Sequence, residues 1–386
     1  MNDTTYEKGT FGYDLNFLKK YIDPIVLSDS KSRSRVILSK EWQGRVMTST
    51  ASGSEGKSFG WVNYDLIQSG EIQEHINVFG GEDRFWLGPE GGQFSIYFEP
   101  GASFDFEHWF VPKQIDTEPF DLIESGSDFA SFQKAMQIQN YSGFNFNFVA
   151  DRSVFLLDKT KTEKELSLEI PEGLDFVGIS VMNSVTNTGE EEWTKETGML
   201  SIWILSMFTP SPGITIAVPY KVGEESSLGA VVNDSYFGKI SEDRLKVDEG
   251  IIYFRGDGKS RGKIGLSPRR ALPVACSYDE DNNVLTLVRF SLHEGVTDYV
   301  NSMWELQDKP FEGDAVNSYN DGPLEDGSQM GPFYELESSS PAANLKPGES
   351  MVHIHSTFHF QGDEALLDQV VKAAIGIGLE QIKNAF

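Results

Sequence analysis

The chain has 386 residues, 39% of them apolar and 24% charged, with 27 phenylalanines and a formal net charge of −27. Such a composition is globular, not disordered, and so acidic a surface repels phosphate backbones and anionic membranes, leaving neutral or cationic ligands and excluding nucleic acid. The single cysteine, Cys276, excludes an intramolecular disulfide and a cysteine-based metal site.

The length exceeds the usual single-domain size, yet large all-β folds pass it as one unit, and one domain over 1–386 is expected, with a lead-in at 1–30 and a helix at 363–382. The longest apolar run, 199–208, is too short to span a bilayer. The opening MNDTTYEKGTFGYD is polar and lacks the shape of a signal peptide. The compartment stays open: cytoplasmic, or periplasmic or cell-surface if a leader was trimmed.

Phe17, Leu18 and Tyr21 recur at helical spacing and predict a short helix within 9–21. Strands are predicted over 34–38 and 45–50, joined by a turn at 41–44, and the Ser- and Gly-rich stretch 51–60 reads as a loop. The densest chemistry follows at 77–94, NVFGGEDRFWLGPEGGQF, with two Gly-Gly pairs, three acids, Arg84 and Trp86. Glycines let a backbone approach a ligand closely, while Arg84 and Trp86 offer a planar donor fork and an aromatic plate. A phosphate cradle would need Lys and Ser/Thr at a helix start, so the stretch suits a sugar better. The plainer alternative is two tight turns joined by one buried strand, with Arg84 paired to Glu82 or Glu90.

A strand is predicted over 94–98, then an irregular, side-chain-rich loop over 104–120 that carries His108 and Trp109. Alternation then predicts strands over 132–140, 143–150, 153–157, 166–170, 176–186, 200–209 and 214–220. A run of strands without long amphipathic helices argues for an antiparallel sandwich or barrel over a doubly wound α/β fold. Residues 221–250 read as an acidic loop, followed by strands over 251–256, 263–266, 271–278 and 284–292. Residues 309–330, rich in Gly, Asp and Asn, read as a long connection that is mobile or lines something. The last strands are 333–338 and 351–360, and Leu366, Leu367, Val370, Val371 and Ala374 mark the terminal helix.

Near the end, Leu336-Glu337, Pro341, Leu345-Lys346-Pro347-Gly348-Glu349 and the strand after it form one block. This block resembles the closing segment of the aldose 1-epimerase (galactose mutarotase-like) superfamily, in which a Leu-Glu dipeptide ends a strand and a Leu-x-Pro-Gly-Glu turn leads into the last one. The chain looks like a bacterial branch of that superfamily. The resemblance implies an all-β fold, a β-supersandwich with short N- and C-terminal helices and a sugar cleft on its concave face. It implies that Glu337 is the general base that takes the proton from the anomeric hydroxyl and that Arg84 binds the sugar; from the residues themselves, Glu90 and the aromatic plates Trp86 and Trp304 are further substrate-binding candidates.

Active members carry a histidine general acid in an Asn-x-x-x-His-x-Tyr-Phe block. The comparable stretch here, Met182 to Gly189, has none. Ring opening needs a proton delivered to the ring oxygen as well as one removed, and His108 or His293 is the candidate to deliver it. A carbohydrate-binding or carbohydrate-processing protein is therefore expected, without cofactor, whose partner is a neutral sugar or oligosaccharide. Stacking on Trp86, Trp109 and Trp304 would separate it from a rival reading, in which His353 and His355, with His359 on the same strand face, hold a metal together with Glu337 or Glu349.

Overall fold

Alternation is carried furthest in the strand Asn145–Leu157, where Phe146, Phe148, Ala150, Arg152 and Val154 are buried and the residues between them are half-buried or exposed. In the computed structural model, which describes residues 5–29 and 31–386, this strand belongs to a ten-stranded antiparallel sheet. Residues 1–4 and Ser30 of the expected lead-in lie outside the described residues. Across the large sheet the order is Leu245–Asp248, Ile251–Arg255, Ile214–Pro219, Val274–Asp279, Val284–Phe290, Ser350–Gln361, Asp175–Asn187, Asn145–Leu157, Phe129–Gln139 and Asp121–Ser125.

A five-stranded antiparallel sheet packs against it, in the order Gly262–Leu266, Val316–Asn320, Tyr334–Ser339, Ser201–Phe208 and Arg84–Gly88. Ile264, Val316, Leu336, Ile202 and Phe85 point from this small sheet into the interlayer core, where they meet Val288, Ile216, Ile179 and Val154 of the large one. A three-stranded sheet, Ile25–Ser28, Arg35–Ser39 and Arg45–Thr50, joins the helix Phe11–Leu18 in a separate cluster around Phe11, Ile37 and Met47. The all-β architecture expected from the strand series is the one observed. Among the described residues no helix is long and apolar enough to cross a membrane.

Several elements differ from expectation. Residues 94–98 form no strand, because Ser95 N–H donates to Gly92 O and Ile96 N–H to Pro89 O, closing a turn where a ladder was expected. The strands at 143–150 and 153–157 are one, since the apparent polar joint contains Arg152, buried and satisfied by Asp83, Asn183 and Gly44 O. The run 166–170 is the end of a helix, Lys159–Leu166, which Asp158 caps and Ser167 terminates in the left-handed region. The long connection at 309–330 contains Val316–Asn320, a fully buried strand. The terminal helix breaks at Gly376 into Glu364–Ile375 and Leu379–Lys383, and its apolar side packs on Leu285 and Tyr278 of the large sheet.

Candidate functional site

Residues directly opposed in an antiparallel pair share one face. In the small sheet Glu337 opposes Leu205 on one side and Asn317 on the other, and Leu205 opposes Arg84. By the same rule Trp86 and Trp203 share that face, as do Glu335, Tyr319 and Lys263. This face points away from the interlayer core, and register alone collects Arg84, Trp86, Trp203, Lys263, Glu335 and Glu337 on it.

Glu337 is fully buried. Its Oε2 accepts from Trp203 Nε1 at 2.8 Å and from Lys263 Nζ at 2.9 Å, while Oε1 has no partner. Burial works against the Lys263 ammonium, but the Glu337 and Glu90 carboxylates outweigh it and the lysine is held above its ordinary range. Its Nζ lies 4.6 Å from the centre of the Trp203 ring. Arg84 donates to Glu335 Oε1 at 2.5 Å, so its partner is neither Glu82 nor Glu90. Burial raises the Glu335 carboxyl, against the pull of Arg84 and with a further push from Glu337.

Glu90 completes the group. Burial pushes its carboxyl up to about 7, with Lys263 pulling down, Glu337 pushing up and Trp304 hydrogen-bonded to it. The tryptophans form a packed row and not open plates: Trp203 meets Trp86 at 5.7 Å, Trp86 meets Tyr97 at 5.7 Å, Tyr97 meets Trp109 at 6.0 Å and Trp109 meets Trp304 at 5.7 Å. Trp86 and Trp109 are buried and Trp304 is half-buried. Glu337 lies under a closed surface and not on an open cleft. The cavity bounded by Gly88, Ser201, Trp203, Lys263, Asn317 and Tyr236 measures about 10 Å³, room for about one water molecule.

The structure thus brings Glu337, Arg84, Trp86, Glu90 and Trp304 into one neighbourhood and leaves His108 out of it. His108 sits exposed on the 3₁₀ turn Phe106–His108, its Nδ1 2.6 Å from Asp105 Oδ1. His293 is exposed as well, near His353 on the other side of the small sheet. The strand that flanks Glu337 is Ser201–Phe208, whereas Asn183, from the stretch matched to the histidine block, lies in the interlayer core bonded to Arg152.

His353, His355 and His359 do share one face, and all are buried between the sheets. Ser338 Oγ lies 2.8 Å from both His353 Nε2 and His355 Nδ1, and Thr286 Oγ1 lies 2.8 Å from His359 Nδ1. Burial holds the three rings down to about 3, 4 and 3 respectively, so they are neutral. Glu337 is on the opposite face of the sheet from Ser338, and Glu349 is in an exposed turn. Among the described residues no group of three or more His, Cys, Asp or Glu side chains is disposed to hold a metal.

Sequence reasoning missed Lys263, Trp203 and Glu335. Glu335 was within reach, since two-residue alternation from Glu337 puts it on the same face. Trp203 stands in a run that is apolar on both faces, which hides its orientation.

Three solved structures share the fold. The Slr1438 protein from Synechocystis sp. PCC 6803 is 15% identical, with 89% of this chain and 96% of that one covered and a TM-score of 0.52. A protein described as a candidate aldose 1-epimerase from Escherichia coli K12 is 12% identical over 87% and 98% of the two chains, with a TM-score of 0.50. A galactose mutarotase-like protein from Lactobacillus casei ATCC 334 is 9% identical over 88% and 100%, also at 0.50. Identities this low show the galactose mutarotase-like fold and nothing of activity. No curated protein matches the sequence. A family model described as a family of unknown function, DUF6786, matches residues 9–386, and the chain belongs to that family.

Proposed function

We propose that the chain binds a neutral saccharide against the outer face of the small sheet and that Glu337 acts on it as general base. The observation that carries this reading is the divided state of one carboxylate. Two donors hold Oε2, while Oε1, equally buried, is unpaired. Leaving a buried polar atom unpaired costs about 1–3 kcal/mol, and Arg84 Nε, Trp86 Nε1 and Ser201 Oγ on the same face are unpaired as well. Such a set offers both donors and acceptors to a hydroxyl-bearing ligand.

Glu90 takes the place of the missing histidine acid. A carboxyl near 7 keeps a large share of its proton at neutral pH, while the Glu337 carboxylate is paired with Lys263. Two carboxyls whose surroundings differ in this way suit acid and base roles. In the proposed reaction Glu337 Oε1 accepts the anomeric hydroxyl proton and the bond from the anomeric carbon to the ring oxygen breaks. Glu90 delivers its proton to that oxygen, giving the open-chain aldehyde. Rotation and the reverse transfers close the ring as the other anomer and restore both carboxyls.

An NMR anomerisation assay over a panel of aldoses tests this, comparing the wild-type chain with Glu337→Gln and Glu90→Gln. The catalysed rate is expected to vanish in Glu337→Gln and to fall about 100-fold or more in Glu90→Gln. No catalysis by the wild-type chain, with binding retained, would leave a carbohydrate-binding protein without turnover.

A further inference from the structure

The site is roofed by residues 229–238. Asn233 ties this strap to the edge strand Gly262–Leu266, its N–H donating to Gly265 O and its carbonyl accepting from Gly265 N–H, both at 2.8 Å. From the strap Tyr236 reaches inward. Its hydroxyl donates to Asp314 Oδ2 at 2.5 Å and accepts from Asn317 Nδ2 at 3.2 Å, and its ring centre lies 5.5 Å from Lys263 Nζ. Gly265 makes this convergence possible, because a Cβ there would lie 2.0 Å from Asp314 Oδ2 and 2.5 Å from Asn317 Nδ2.

A six-membered ring bearing one hydroxyl is therefore held by an acceptor, a donor and an ammonium, against a cavity of about 10 Å³. Pockets for small molecules begin at about 300 Å³, and Glu337 is fully buried, so no sugar reaches it in this conformation. Both ends of the strap are glycines in the left-handed region, where the backbone can turn without a side chain in the way. Gly229 and Gly238 at its ends have φ of 76° and 94°, and a Cβ at either would meet nothing within 4 Å. The first end is pinned, Gly229 O accepting from Arg270 Nε at 3.0 Å and Nη2 at 2.7 Å, while at the second Phe237 is 46% exposed and held by ring contacts with Tyr319 at 5.8 Å and Arg261 at 3.9 Å, so the strap turns about Gly229.

We infer that Tyr236 is an internal occupant of a hydroxyl-binding subsite formed by Asp314, Asn317 and Lys263, and that the strap 229–238 swings out so that a ring-bearing polyol takes its place. The inference rests on the saccharide reading for the identity of that ligand. It makes Asp314 and Asn317 specificity-determining, through one hydroxyl of the ligand. Apparent affinity is then the intrinsic affinity scaled by the fraction of molecules whose strap is open.

The test uses Ser201→Cys, since Ser201 lines the cavity and its hydroxyl has no partner. The native Cys276 is a silent background, fully buried with its thiol pushed up to about 12 by that burial. Labelling by N-ethylmaleimide is expected to be about tenfold faster or more in Ser201→Cys/Tyr236→Phe than in Ser201→Cys alone, as losing a hydrogen bond to a carboxylate would give. Tyr236→Ala, which removes the ring as well, is expected to exceed Tyr236→Phe. Equal rates in all three chains would overturn the inference. Protection by added galactose or glucose reads the ligand separately. If neither protects but Tyr236→Phe still accelerates labelling, the saccharide reading falls and the strap stands. If a sugar protects and neither Tyr236 variant changes the rate, the strap falls and the saccharide reading stands.

Discussion

Lys263 and Glu337 meet at 2.9 Å across an intervening strand, Val316–Asn320, with both side chains buried. Breaking such a pair by removing one partner leaves an uncompensated charge and typically costs about 3–5 kcal/mol. Lys263→Met alone is therefore expected to destabilise the chain in that range, and Glu337→Gln by somewhat less, because Glu90 still faces the ammonium. The double variant is expected to recover about 1 kcal/mol or more relative to the sum of the two. Urea unfolding of all four chains gives the number, and strict additivity would show that the two groups do not pair in solution.

Arg84 is held by Glu335 and lies over the Trp86 ring at 5.2 Å. A purely ligand-binding arginine could be removed without harm to the fold. This one is expected to cost about 3 kcal/mol or more as Arg84→Ala, because Glu335 would remain buried and unpaired. Glu335→Gln is expected to cost less, since burial already favours the protonated carboxyl. A melting temperature unchanged by Arg84→Ala would sink the structural part of its role.

Glu82 is fully buried beside the interlayer core, accepting from Ser49 N–H at 3.0 Å, and burial pushes its carboxyl from 4.5 up to about 8. A carboxyl raised in the folded state favours folding below its unfolded value, and that contribution is lost as pH climbs toward the folded one. Stability tied to Glu82 should thus fall between about pH 5 and pH 8, by at most about 1.4 kcal/mol per unit. Glu82→Gln removes the titration, so its stability relative to wild type should rise across that window. A constant difference between the two chains at every pH would refute the assignment.

Ser338 joins two histidines through one hydroxyl. Ser338→Ala leaves a nitrogen of His353 and one of His355 without that partner, and about 1–3 kcal/mol is expected for each orphaned group, read by urea unfolding. A loss below about 0.5 kcal/mol would show that the bridge does not persist. The same engagement of the rings predicts that elemental analysis of the purified chain finds no stoichiometric zinc or iron; a full equivalent would mean that the rings turn from the hydroxyls to a metal.

Much of the fold was legible because strands announce themselves by a two-residue period and turns by glycine and proline. Arg45–Thr50, Ile251–Arg255, Val284–Phe290 and Ser350–Gln361 fall within two residues of their expected ends. Val316–Asn320 was invisible for the opposite reason. Its sequence, VNSYN, is polar, and polarity reads as exposure until a neighbouring strand is known to satisfy it; here Asn320 bonds to Ser260 O and Ser318 to Glu335 O.

The sequence by itself determined an acidic all-β chain, the strand carrying Glu337 and the Gly-rich turns around Arg84. Only the tertiary structure decided that Arg84 answers Glu335, that Lys263 and Trp203 answer Glu337, and that Tyr236 stands beside Lys263 on Asp314 and Asn317. The physical reason is the distance along the chain. Period and turn chemistry act over a few residues, whereas the site is assembled by the register of five strands drawn from residues 84 to 339, and register is settled by the packing of whole faces, which no local pattern records.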